Sequence, residues 1–433
     1  MESLADSLAG SWPIAVGIAL AVLAVLAVLV AANLAQAEKR IVRRIRHAYP
    51  TSDPTFMRVL SVLFGPTVLS GNRIDTLVNG RRIFPAMLEA IADARRTITF
   101  ETFIYWSGGV GERFAQALIE RARAGVAVHV LLDWVGSRPM DAALIERMRE
   151  SGIQVARYHP PGWRHMTRMN NRTHRKLLVV DGRIGFTGGV GIADTWDGDA
   201  DEPDHWRDTH YRIEGPAVAQ LQAAFLDNWI KDRGEMLHGE AYFPPLSPAG
   251  DSPAQVFQSS PSGGSESMHL MLNYALVCAT RSIRISTAYF VPDRMTVDAL
   301  LDASARGVSV TVLVPGRRTD STIARRASQH MWGRLLKGGV RLLAYQPCQL
   351  HWKVLIVDDA WVSVGSTNFD NRSFRLNDEA NLNVYDPVFA AGQAALFEAD
   401  LRCSRPITLE RWRRRSPGQR LYEAVSFLIR SQL

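Results

Sequence analysis

Cysteine is scarce. The three present, Cys278, Cys348 and Cys403, are an odd number, set far apart and without a CxxC pair. That excludes a disulfide framework and a cysteine zinc site, and it fits a reducing compartment. Nucleotide-binding glycine motifs are missing too, so no nucleotide is expected to drive the chemistry. Nor is there a long Lys/Arg tract with interleaved aromatics, which argues against a nucleic-acid partner. Positive charge is absent from the start of the chain: no Lys or Arg precedes Lys39, whereas Glu2 and Asp6 do. Over the whole chain, fifty Lys plus Arg against forty-three Asp plus Glu give +7, a modest excess that favours an anionic partner.

What the chain does have is one long apolar run, residues 14–32, enough to cross roughly 30 Å of hydrocarbon as a single helix. A cleaved signal peptide is the alternative, with Ala35-Gln36-Ala37 as its cutting site, but the run is long for one and no cation precedes it. Lys39, Arg40, Arg43, Arg44 and Arg46 follow, so the positive-inside rule places the rest of the chain in the cytoplasm. Residues 1–50 are thus expected to be an anchor with a basic juxtamembrane segment.

Beyond it lies an internal repeat. FPAMLEAIADARRTITFETFIYW (84–106), ARAGVAVHVLLDWVG (122–136) and SGIQVARY (151–158) match, in order, MLNYALVCATRSIRISTAYFVPD (271–293), ASARGVSVTVLVPGR (303–317) and GGVRLLAY (338–345). Each copy predicts a helix, a β-rich run, and a second helix closed by a glycine, Gly125 or Gly307. A Val-rich strand covered on both faces then follows. Two α/β domains are expected, residues 51–245 and 255–405, separated by the Pro/Gly/Ser-rich stretches 243–254 and 259–267. The basic tail, 406–433, carries an N-cap and N1 pair, Ser416-Pro417, and a stripe of Leu421, Val425, Leu428 and Ile429. That stripe is expected to dock on its own domain, with an interfacial role as the alternative.

Each copy also holds a His, one residue, a Lys, four residues and an Asp: His174, Lys176 and Asp181 in HRKLLVVD, and His351, Lys353 and Asp358 in HWKVLIVD. A lone His opening an apolar strand is normally structural. Duplication at matching places, with a Lys on the same face two residues on, points instead to two cations addressing one phosphate. Each Asp follows a buried apolar tetrapeptide, which suits a structural brace or a Lys partner better than an acid catalyst.

These segments resemble the twin HxKxxxxD motifs of the phospholipase D superfamily. GSTNFDNRSFRLNDEANL (365–382) is similar to the continuation of the second motif in bacterial cardiolipin synthases, and TAYFVPD (287–293) to their TPYFVP segment, with Ala288 in place of proline. The resemblance runs from about residue 80 to near the C-terminus and implies two mixed sheets between helices, related by a pseudo-twofold, with one active site at their interface. It implies that His174, Lys176, Asp181, His351, Lys353 and Asp358 form the catalytic set, with His174 as nucleophile, His351 as general acid/base and both lysines stabilising charge on phosphorus oxygens. A carboxylate should orient each imidazole, Asp208 and Glu379 being the candidates at parallel places after the motifs. Gly188, Gly189, Ser366 and Asn368 are the expected phosphate cradle, with Gly191 where an asparagine is often found. No metal or other cofactor is implied. The partners expected are anionic phospholipids, foremost phosphatidylglycerol, and the location is the inner membrane, single-pass, with cytoplasmic catalytic domains. A hydrolase with the same residues and a non-catalytic membrane scaffold are the competing readings; a metal site of His159, His165 and His174 is disfavoured by its spacing.

Overall fold

A helix of residues Gly109–Arg123 ends at Ala124, and Gly125, at φ +89°, turns the chain into a strand, Ala127–Asp133, buried from its second residue onward. The second copy repeats this: Arg294–Ala305, then Gly307 at φ +90°, then Ser309–Pro315. A side chain at either glycine would be strained in that conformation. The protein is described by a computed structural model covering residues 16–25, 45, 49–160, 170–261 and 266–433.

In chain order the strands of the main sheet are β1 Leu69–Val78, β2 Thr97–Thr102, β3 Ala127–Asp133, β4 Gln154–Tyr158, β5 Leu177–Val180, β6 Ile184–Gly188, β7 Thr209–Glu214, β8 Ser252–Ser259, β9 Ser282–Ser286, β10 Ser309–Pro315, β11 Arg341–Tyr345, β12 Val354–Val357, β13 Trp361–Gly365, β14 Asn377–Val384 and β15 Ser404–Ile407. They lie in the order β15-β11-β10-β9-β12-β13-β14-β8-β1-β7-β6-β5-β2-β3-β4. Outward from the antiparallel pair β1 and β8, the two sides repeat one pattern, β7-β6-β5-β2-β3-β4 against β14-β13-β12-β9-β10-β11. In each, three strands joined through helices run parallel and the rest are antiparallel. The fold is therefore mixed α/β.

Residues 41–160 and 171–433 group into one compact unit. The stretches expected to mark the boundary flank β8, a strand in the middle of the sheet. Its Val256 and Phe257 are buried, so a Pro/Ser-rich entry hides a core element. One apolar cluster takes side chains from both halves, Trp229 and Leu221 together with Trp352 and Val354. Truncating a buried aromatic of this kind costs roughly 3–5 kcal/mol, so the seam is a core in its own right.

Residues 16–25 form a helix. No helix among the described residues is long and apolar enough to cross a membrane. Most of the expected anchor, the cations from Lys39 to Arg44 with Arg46, and residues 161–169 with His165 lie outside the described residues. At the other end Ser416 caps the helix Pro417–Leu428 through a capping box with Gln419. The stripe on that helix does not dock: Leu421, Val425 and Leu428 are 67%, 53% and 75% exposed, because the helix turns its polar side inward.

Candidate active site

His174 and Lys176 stand immediately before β5, and His351 and Lys353 immediately before β12; all four are buried. The residues between them point the opposite way, as strand alternation requires. Arg175 donates to the Ala224 carbonyl at 2.6 Å and pairs with Asp227 at 3.1 Å, while the Trp352 indole donates to the Tyr211 hydroxyl at 3.2 Å. His and Lys of each motif are thus left on the face that holds the site.

The pairing of histidines with acids crosses between the halves. His174 Nδ1 lies 3.0 Å from both carboxylate oxygens of Glu379, and His351 Nδ1 lies 2.6 Å from Asp208 Oδ2. Backbone follows the same exchange. Arg172 and Thr173 run parallel beside Asn377 and Asp378, with His174 N donating to the Asp378 carbonyl at 2.8 Å. Gln349 and Leu350 run beside Trp206 and Arg207, with His351 N donating to the Arg207 carbonyl at 2.8 Å. Both acids are further held. Ser366 Oγ donates to Glu379, Trp196 Nε1 donates to Asp208 at 3.1 Å, and Thr209 N donates to Asp208 at 2.8 Å. With Nδ1–H committed to a carboxylate, each imidazole keeps Nε2 for chemistry.

Burial, then the Lys176 and Lys353 charges working against Glu379, holds His174 down to about 4, so it is neutral at physiological pH. His351 is also lowered, by burial and Lys353, but two carboxylates, Asp208 and Asp320, oppose that. Asp320 is positioned by the Tyr289 hydroxyl and by Gln349 Nε2 at 3.1 Å. Burial brings Lys176 down to about 7 and Lys353 down to about 8, each against the pull of Glu379 and Asp208. Burial tends to raise Asp208, yet His351 and Lys353 hold it down at about 2. The lysine ammoniums donate to the carbonyls of His174, at 2.7 Å, and of His351.

Asp181 and Asp358 do not join this centre. Asp181 accepts from the amides of Arg95, Arg96 and Thr97 at 2.9, 2.7 and 2.9 Å. Asp358 does the same for Thr280, Arg281 and Ser282 at 2.9, 2.6 and 2.8 Å, and takes the Thr51 hydroxyl at 2.7 Å. Each braces the turn that leads into β2 or β9, so of the two structural roles the Lys-partner one is not what the geometry provides.

At the expected phosphate cradle the nearest neighbours are protein groups. A Cβ on Gly189 would fall 2.2 Å from Asp208 Oδ1, and one on Gly188 2.6 Å from His210 Nδ1; these glycines make room for the orienting acid and its strand. Ser366 is spent on Glu379. Asn368 Oδ1 accepts from Thr287 Oγ1 at 3.1 Å, and its main-chain N donates to Ser373 Oγ at 3.1 Å. Gly191, the residue where an asparagine was expected, is packed against Ile104 and Trp196 and has no space for one. Sequence reasoning missed the aromatic walls: the Phe103 ring 5.3 Å from His174, and Trp196 and Trp206 at 5.3 and 5.2 Å from His351. The only signal was their nearness to TFIYW and HWRD.

Two His-x-Lys motifs gathered into one buried centre by a doubled α/β sheet define the class, the phospholipase D superfamily. The family model described as "Cardiolipin synthase, PLD-like domain" matches twice, over residues 87–202 and 273–401. Cardiolipin synthase A of Pseudomonas fluorescens is 34% identical over 393 residues, 90% of this chain and 80% of that protein. The major cardiolipin synthase of Bacillus subtilis is 34% identical over 361 residues, 83% and 75% of the two chains. In fold, the phosphatidylserine synthase of Haemophilus influenzae is similar at a TM-score of 0.68 and 13% identity, over 87% of this chain and 99% of that one. The chain belongs to the cardiolipin synthase family of proteins with the PLD-like domain.

Proposed function

We propose that this chain is a cardiolipin synthase, a phosphatidyltransferase that joins two phosphatidylglycerols into cardiolipin and releases glycerol. The crossed His–carboxylate pairing around two buried lysines carries the reading. Neutral His174 attacks phosphorus through Nε2, the bond from phosphorus to the glycerol oxygen breaks, and His351 gives its Nε2 proton to that oxygen. A second phosphatidylglycerol then returns a proton to His351 as its hydroxyl attacks and the N–P bond breaks. Lys176 and Lys353 stabilise the equatorial oxygens in both steps. An anionic phosphodiester beside His351 favours the imidazolium needed for the first step. One phosphodiester replaces another, so no nucleotide is consumed.

The relatives' names and the modest positive balance support an anionic lipid substrate. We read the two sides of the sheet as copies, residues 51–245 and 255–405, about a pseudo-twofold between β1 and β8. Residues 14–32 are taken as a single anchor in the inner membrane, with the enzyme on the cytoplasmic side; a phosphatase reporter fused at the C-terminus should then stay inactive in bacterial cells. The principal test is purified protein with phosphatidylglycerol and nothing added. Glycerol and cardiolipin should accumulate together, whereas phosphatidic acid as the main product would make the protein a hydrolase.

A further inference from the structure

The helix Pro417–Leu428 is mounted inside out. Glu423 and Ser426 face the protein at 1% and 3% exposure, and Glu423 is paired with Arg415. Leu421, Val425 and Leu428 lie on the opposite side, and Ile429 continues the stripe at 47% exposure. A helix whose outer side met only water would turn this stripe inward. Here the inward side is fixed independently by packing on the helix Thr322–Lys337, with Phe427 stacked on His330 at 4.6 Å.

The charge around the stripe has one sign. Residues 402–433 hold eight arginines and two glutamates. Both glutamates are used within the segment, Glu410 by Arg414 and Glu423 by Arg415. Arg411, Arg413, Arg420 and Arg430 are exposed and face no carboxylate among the described residues. An apolar stripe fringed by arginines complements a bilayer surface bearing anionic headgroups, whereas a second copy of the same face would set like charges against each other.

We infer that this face is a membrane seat: the helix lies in the plane of a bilayer rich in anionic phospholipid, with its apolar side among the acyl chains. Its far end is tied to the site. Arg372 N donates to the Leu433 carbonyl at 2.8 Å and Asn371 Nδ2 to the Arg430 carbonyl at 3.1 Å. These two residues open the short helix Asn371–Arg375, between Asn368 and the orienting Glu379. A seated helix therefore holds that part of the site close to the lipid surface. The inference rests on the reading that the substrates are bilayer phospholipids, but it concerns contact and not turnover.

The test uses the full chain in phosphatidylcholine vesicles with and without phosphatidylglycerol, carrying Val425→Cys labelled with an environment-sensitive fluorophore. Cys403 is exposed and is removed as Cys403→Ser, while Cys278 and Cys348 are buried. The expected result is a blue-shifted emission that is quenched by brominated acyl chains and is strongest with phosphatidylglycerol. Arg413→Gln with Arg420→Gln should weaken that quenching. Emission as in water in every vesicle overturns the inference, and so does a blue shift without bromolipid quenching, which would mean protein covers the face. Equal quenching with and without phosphatidylglycerol overturns the anionic commitment. None of these readouts needs catalysis, so a protein that made cardiolipin but failed them would sink only this proposal.

Discussion

Exchanging Glu379 for Gln keeps the shape of the site and removes its charge. Both carboxylate oxygens lie 3.0 Å from His174 Nδ1, and Ser366 Oγ donates to one of them. A glutamine has a single acceptor oxygen. Ser366 claims it, and the amide NH2 is left facing the imidazole. His174 then does best with Nδ1 as acceptor, which moves its proton to Nε2, the atom that must attack. Loss of the charge-assisted hydrogen bond alone is worth about 1.5–3 kcal/mol, roughly 10- to 150-fold in rate. The inverted tautomer adds to this, and the corresponding change in a serine protease triad costs about 10⁴. Glu379→Gln should therefore lower kcat by about 10²- to 10⁴-fold with little change in thermal stability. The crossing makes the assay sharper. In a His351→Asn background, which lacks the acid of the first step as well as the base of the second, labelled phosphatidyl should collect slowly on His174, and its rate of appearance reads the attack by His174. Adding Glu379→Gln should slow that labelling by the same factor, and adding Asp208→Asn should not. If labelling changes by less than about tenfold with Glu379→Gln, or the label is found on residue 351 in wild type, the pairing does not act as argued.

Three further outcomes follow from the same geometry. The value of kcat/KM, which reports the free enzyme, should already decline below the ordinary imidazole range as His351 loses the proton it must donate, fall further above about pH 7–8 as Lys176 and Lys353 lose their charge, and not be limited by His174 until about pH 4; a profile flat to about pH 10, where ordinary lysines titrate, would refute this. Asp181→Ala removes the acceptor of three backbone amides and should cost roughly 2–4 kcal/mol in denaturant unfolding, with kcat of the folded protein changed only a few-fold. Gly189→Ala puts a methyl where Asp208 Oδ1 stands, so kcat should collapse while circular dichroism stays native; normal turnover would show that the acid has room to move.

The motifs were legible because their information is local. A His and a Lys two residues apart on a strand must share a face, and Gly125 and Gly307 announce the end of a helix wherever they stand. The crossed pairing was not legible: Glu379 lies 205 residues from His174, and Asp208 lies 143 from His351. Parallel places after the two motifs mark both acids as candidate orienters without saying for which imidazole. Gly188 and Gly189 are ambiguous for a related reason, since a small residue records close approach but not the identity of what approaches. β8 was hidden because it opens on Ser252 and Pro253 within a stretch that has the composition of a linker. The C-terminal stripe was correctly placed on one face, but periodicity cannot say whether that face turns in or out.

Duplication leaves the two imidazoles chemically alike, so their division of labour has to come from the surroundings. Two lysines bear on His174 and one carboxylate opposes them. Around His351 the balance is reversed, one lysine against Asp208 and Asp320. The bond to Asp208 is also shorter, 2.6 Å against 3.0 Å, as suits a partner that must stabilise an imidazolium. A neutral nucleophile on one side and a chargeable acid on the other is the asymmetry that the proposed mechanism needs. Its source lies outside the duplicated motifs: Asp320 comes from the loop after β10, where the first copy has the Trp134 to Arg138 turn instead. The crossing then has a physical consequence. Each acid belongs to one half and serves the other, so parting the halves would strand buried carboxylates and lysines at several kcal/mol each. The candidate site is in this way a clamp across the seam, and the difference between its two sides lies at its rim.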